Sequence, residues 1–159
     1  MSAKALPRRV AAWLAGLWAG AVAALGFIAA PVLFAVLPRA EAGDAAAHLF
    51  RVDAGLGLVV GAILLVLTLH AARRDAEAGG SRFSVEMMLV LVALFSIVVG
   101  HYAIGPMLDE ARADRSRFAL LHGVTSVFFV VKLVAIAVLA WRLSGDAAAA
   151  RATAAEPTS

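Results

Sequence analysis

The chain reads as four long apolar runs separated by short charged segments. The first, Val10 to Pro38, contains no charged residue and includes Pro31. Three more follow: Ala54 to Ala72, Met87 to Leu108, and Phe118 to Trp141, the last interrupted by Lys132. A helix rising ~1.5 Å per residue needs ~20 residues to cross a hydrocarbon core of ~30 Å. The pattern therefore predicts four transmembrane helices, over about 10–37, 53–73, 84–108 and 117–142. An open sheet would leave backbone polar groups unpaired in lipid, so strands are excluded. The expected fold class is all-α: an integral membrane four-helix bundle.

The segments between the runs refine this. Arg39 to Val52 is alanine-rich and begins just after Pro38, which predicts a short extra helix in the first outer loop, leading toward the second span. Gly79-Gly80-Ser81 is a turn signal in the middle loop. The expected domain organisation is a cytoplasmic segment 1–9, a single membrane domain 10–143, and a tail 144–159. That tail is small and polar with Pro157 and reads as disordered. Within the first span, Pro31 removes the hydrogen bond to the Phe27 carbonyl and predicts a kink in the outer third. Ala12, Gly16, Gly20 and Ala24 recur every fourth residue, and Gly57 and Gly61 repeat the spacing in the second span. Such grooves let a helix backbone approach closely, either within the bundle or at an interface with a second copy or another membrane protein.

Composition supports the bilayer as solvent. Of 159 residues, 63% are hydrophobic and 16% charged, against ~25% charged in soluble domains. There is room for one membrane domain and no separate soluble enzyme domain. Lys4, Arg8, Arg9, Arg73, Arg74, Arg82, Arg142 and Arg151 fall on one side, and Arg39, Arg51, Arg112, Arg115 and Arg117 on the other. The excess predicts both termini in the cytoplasm, with Trp13 and Trp141 at the inner interface. Lys4, Arg8 and Arg9 also resemble the start of a signal peptide, but the apolar core of such a peptide spans only ~7–15 residues. The expectation is a retained span in a multi-pass protein of a bacterial inner (plasma) membrane. The basic residues form no stripe with interleaved aromatics, so no nucleic acid is expected as a partner.

Chemistry has few candidates. Without cysteine, disulfides, thiolate ligands and a cysteine nucleophile are excluded. Elbow, zincin and paired-carboxylate signatures are missing, so a non-enzyme is expected. His48, His101 and His122, with Met107, lie toward the outer side, and only His70 toward the inner. This set offers a copper site or, with two histidines from different helices, a haem site. Four histidines placed at random put three or more on one side roughly 60% of the time, so the grouping is weak. The expectation is no cofactor, with haem or copper as the alternative. His122, Thr125 and Ser126 share one helix face, expected to meet the outer part of the first span. Lys132 stands near mid-membrane, where a lysine costs ~2.5–3.5 kcal/mol unless it is paired or snorkels. Either it handles a substrate or proton, or it is structural. No carboxylate is expected at its depth, and Glu86 is the nearest partner.

Two stretches carry a family likeness. Leu17-Trp18-Ala19-Gly20, Phe27 to Phe34 with Pro31, Leu37-Pro38-Arg39 and Ala42-Gly43 resemble the start of the transmembrane protein 205-like domain family. Phe118 to Thr125, with His122-Gly123, resembles its closing His-Gly-x-Ser motif, Thr125 taking the serine place. Phe129 stands where that family often has asparagine, so the polar role of that residue does not carry over. The resemblance implies a four-span membrane protein of unknown function and marks Pro31, Gly43, His122 and Gly123. Its eukaryotic namesake is linked to tolerance of platinum drugs, so the resemblance implies transport or trafficking, an accessory or export/tolerance factor.

Overall fold

The computed structural model describes the backbone of residues 5–77 and 84–155. Every regular element among them is helical, and four stretches are long and apolar enough to cross a membrane: Leu6–Val36, Arg39–Arg74, Val85–Glu110 and Arg115–Gly145. The Gly79-Gly80-Ser81 turn, and the ends 1–4 and 156–159, lie outside the described residues.

Local chemistry sets the boundaries. Leu37 precedes Pro38 and is extended (φ −114°, ψ 154°), which ends the first span. The Pro38 carbonyl then accepts the Ala42 N–H at 2.9 Å and opens the second helix. That helix runs from Arg39 to Glu77 without a break. The alanine-rich segment is thus helical and runs directly into the second span as its first third, with Gly43 the one glycine between Arg39 and Val52 and no proline to break the helix. Ser84 caps the third span, its Oγ accepting the Met87 N–H at 3.2 Å. Asp114 caps the fourth, taking the N–H groups of Ser116 (3.0 Å) and Arg117 (3.1 Å) and the Ser116 hydroxyl (2.7 Å). The fourth helix extends to Ala155. The tail expected to be disordered from Ser144 is helical to that point, since its alanines favour helix and no proline intervenes before Pro157.

Pro31 does not simply bend the first helix. A π turn, Leu25–Ala29, precedes it, and the Ala30 N–H reaches back five residues to the Leu25 carbonyl. The third span repeats the device: a π turn at Val98–Ala103 precedes Pro106, with the Ile104 N–H bonded to the Val99 carbonyl. A proline ring clashes with the carbonyl four residues back and leaves it unbonded; a wider turn accommodates both effects.

The first span packs on the second and fourth, and the third packs on the same two, so the second and fourth face each other across the diagonal. The core consists of Ala11, Ala15, Trp18 and Val22, Ala54 and Leu64, Val90, Ala93 and Ile97, and Ala135, Ile136, Leu139 and Leu143. Apart from Ala54, which adjoins Asp53 near mid-bundle, these residues lie toward the end that carries Trp13 and Trp141. There, close packing of first on fourth and second on third closes the bundle. In the other half that packing stops among the described residues: the end of the first span stays with the second, and the end of the third with the fourth. The molecule is a bundle at one end and a fork of two helical hairpins at the other.

Small residues pack on one side only. A Cβ on Gly57 would meet Ile97 and Trp18, and one on Gly61 would meet Leu94, so both glycines serve close packing inside the bundle. Gly16 and Gly20 have open space where a Cβ would stand and face outward. Ala15, Trp18 and Val22 occupy the inward face instead.

Candidate functional site

The fork begins at an ion pair. Lys132 Nζ donates to Asp53 Oδ2 at 2.6 Å, and each residue is 6% exposed. The pair joins the second and fourth spans across the diagonal, and therefore joins one hairpin to the other. This corrects the expectation for Lys132. A carboxylate does lie within its reach, because Asp53 stands well inside a helix that starts at Arg39 instead of marking its end. Glu86 is engaged elsewhere, accepting from Arg142 Nε at 2.8 Å near the Trp141 end.

Aromatic rings and glycines surround the pair. Lys132 Nζ lies 5.2 Å from the centroid of the Phe129 ring, a favourable cation–π placement. Phe129 meets Phe50 edge-on at 5.7 Å between centroids, so it too bridges the hairpins. Gly26, in the first π turn, lies so close to this ring that a Cβ would come within 2.5 Å of it. Gly100, in the second π turn, sits against Phe128. Both π turns thus occur where fourth-span phenylalanines press on a bare backbone. One helical turn along the second span from Asp53, Gly57 abuts the Trp18 indole. That buried Nε1 has no hydrogen-bond partner.

His101 is half-buried in the second π turn, its ring edge-on to Tyr102 at 4.9 Å. It lies within electrostatic range of Arg51, Lys132 and Asp53. Above the pair, toward the open end, Asp44, Ala47, His48 and Arg51 of the second span and Asp109 of the third line a depression of about 390 Å³. Polar side chains therefore line the approach to the fork.

The other sequence candidates do not converge here. His122 is exposed, its ring stacked on Phe118 at 5.9 Å. Its carbonyl accepts the Thr125 (2.9 Å) and Ser126 (2.7 Å) hydroxyls. That polar face was expected to meet the outer part of the first span; the hydroxyls bond within their own helix instead, because the hairpins diverge at this level. Gly123 is exposed, Gly43 is half-buried, and neither has a neighbour where a Cβ would stand. Met107 and Pro31 are exposed. Among the described residues no three His, Asp or Glu side chains are arranged to hold a metal ion. Sequence reading missed Asp53, Phe50, Phe129 as a bridge, and Pro106; the repeated proline-plus-glycine pattern was the available signal for the last.

No curated protein and no solved structure matches the chain. One family model, described as "Domain of unknown function (DUF4149)", matches residues 13–117. The matched range includes Asp53 and both π turns and ends before Lys132 and the His122-Gly123 motif. With most of its length covered, the chain belongs to the DUF4149 family of domains of unknown function.

Proposed function

We propose that this protein is a non-catalytic helical bundle of a bacterial inner membrane, of the transmembrane protein 205-like type, acting as an accessory or export/tolerance factor. One observation carries the reading: apart from the unpaired Trp18 Nε1, the buried ion pair and the span hydroxyls are committed to one another or to their own helices. Lys132 pairs with Asp53, Thr68 donates to the Leu64 carbonyl, Ser96 to Val92, and Thr125 and Ser126 to His122. Groups arranged this way build and hold a bundle rather than present a reacting centre. Both termini are assigned to the cytoplasm from the bias of basic residues, and the exposed Trp13 and Trp141 at one end fit an interfacial belt.

The test is deletion and complementation. Loss of the gene should alter tolerance to a membrane-active or exported toxic compound, and restoration should require the intact bundle. An unaltered tolerance profile across such compounds would remove the export/tolerance assignment. The alternative is a histidine-ligated haem or copper protein, with His48, His101, Met107 and His122 as its candidate ligands. A Soret band, or stoichiometric copper lost on His101→Ala, would establish that alternative instead.

A further inference from the structure

We propose that the depression at the open end, between the second and third spans, is the headgroup site of a membrane phospholipid with a zwitterionic, primary-ammonium head, a phosphatidylethanolamine. Both hairpins build it. Asp44, Ala47, His48 and Arg51 of the second span and Asp109 of the third enclose about 390 Å³, within the ~300–1,000 Å³ of small-ligand sites. The second-span residues fall three and four apart and so share one helix face. Asp44 lies near the start of the membrane stretch Arg39–Arg74, and Asp109 near the end of Val85–Glu110, so the depression stands where headgroups meet hydrocarbon. The space continues inward. Gly55 follows Arg51 by one turn and Gly105 precedes Asp109 by one turn, and each extends its lining face toward mid-membrane. Both are half-buried, yet a Cβ on either would meet nothing. Gly57 and Gly61, by contrast, are filled by Ile97, Trp18 and Leu94. The two open glycines leave a slot for an acyl chain beneath the polar mouth.

Charge selects the head. The Arg51 guanidinium and the His48 ring can donate to phosphate oxygens, and the Asp44 and Asp109 carboxylates can accept from an ammonium. Both carboxylates already take part in interactions of their own. A carboxylate offers about four acceptor positions on its two oxygens, so the ammonium joins that network and needs no vacancy in it. Two carboxylates beside one guanidinium disfavour a net-anionic head such as phosphatidylglycerol. Choline is disfavoured for a different reason. Its trimethylammonium has no N–H to donate and is recognised by aromatic cages, whereas none of the lining residues is Phe, Tyr or Trp. A soluble head without chains would meet the charges but leave the slot unfilled, so the lipid is the better ligand.

The test is lipid competition on the purified full chain in mild detergent, read by native mass spectrometry. From an equimolar mixture of phosphatidylethanolamine, phosphatidylcholine and phosphatidylglycerol with the same acyl chains, wild type should retain phosphatidylethanolamine about tenfold over either of the others. Arg51→Gln and Asp109→Asn alter exposed positions, where folding is least at risk. Each should lower that retention about tenfold, as loss of a charge-assisted hydrogen bond predicts. Asp109→Lys should turn the preference toward phosphatidylglycerol. Gly105→Leu, or Gly55→Leu should the first not fold, fills the slot and should lower retention of the lipid. Arg74→Gln, at the other end of the second span, should leave retention unchanged. Glycerophosphoethanolamine, the head without chains, should not displace the lipid at equal concentration. The proposal is overturned by equal retention of the three lipids, or by retention that survives both Arg51→Gln and Asp109→Asn. It is equally overturned if Arg74→Gln costs as much as Arg51→Gln, or if the chain-free head competes as well as the lipid.

Discussion

Removing one member of the Asp53–Lys132 pair should harm the protein more than removing both. Each side chain is almost wholly buried, so Lys132→Met leaves a carboxylate with no counter-charge, and Asp53→Leu leaves a bare ammonium. Breaking a buried pair in this way costs ~3–5 kcal/mol, in line with the ~2.5–3.5 kcal/mol for a lone charge at mid-membrane. The double variant Asp53→Leu with Lys132→Met keeps apolar bulk and removes both desolvation penalties. It should fall within ~1 kcal/mol of wild type, or exceed it by ~1–4 kcal/mol. The coupling between the sites is then several kcal/mol, far above the ~0.3–0.5 kcal/mol error of additivity. The assay is reversible unfolding in mixed micelles, followed by fluorescence of the three tryptophans. If Lys132→Met alone is as stable as wild type, or the two single effects simply add in the double variant, the pair does not bridge the hairpins as described.

Glu86→Gln should change stability by less than ~1 kcal/mol in the same assay, because its partner Arg142 is 45% exposed in its side chain and such pairs contribute little. Gly26→Ala should be destabilising by ~1–3 kcal/mol, since its Cβ would drive the Phe129 ring off Phe50 and Lys132. Gly16→Ala and Gly20→Ala, with open space at the same position, should be neutral or gain up to ~1 kcal/mol in a monomer; a loss there would reveal an interface on that face. Hydrogen bonds from the Ser116 hydroxyl and the Arg117 N–H hold the Asp114 carboxyl below its usual value near 4. Its folded form is the more acidic, so the cap contributes fully above the ordinary carboxylate range and is lost as pH falls through the lowered folded value. Hydrogen exchange at Ser116 and Arg117 should accelerate only below about pH 4, and Asp114→Ala should abolish that dependence.

The span count, the helical class and the exposed tryptophans at one end were legible because they depend on length and hydropathy, which lipid enforces strongly. The glycines were half legible. Spacing of four predicts a close approach, but Gly57 and Gly61 face the bundle and Gly16 and Gly20 face away, and spacing alone cannot choose a face. Pro31 predicted a disturbed helix; what it produced was a π turn. The same outcome before Pro106 ties the wider turn to a following proline together with a glycine pressed by a fourth-span phenylalanine. The His122 face was misjudged for a different reason. Divergence of the hairpins is a tertiary property, and the hydroxyls found the nearest carbonyl in their own helix.

The ion pair was the largest omission, and it was recoverable from helix starts. Dividing a chain into charge-free runs makes every charge a boundary, so Asp53 was placed at the edge of the second span. Capping chemistry gives a different ruler. Pro38 forces an extended residue before it and accepts the first helical bond of the second span, and Asp114 caps the fourth. Both helices start from the same end of the bundle and run the same way. Asp53 then lies about 15 residues in and Lys132 about 18, an axial offset of only ~4.5 Å, which a lysine side chain spans. Opposite charges at matching depth on two helices seek each other in lipid, because each alone is expensive. The same ruler places Arg142 more than a turn deeper than Lys132, toward the Trp141 end, where Glu86 begins the third span and takes it as partner. Depth measured from caps therefore assigns both pairs, whereas charge-free runs assign neither.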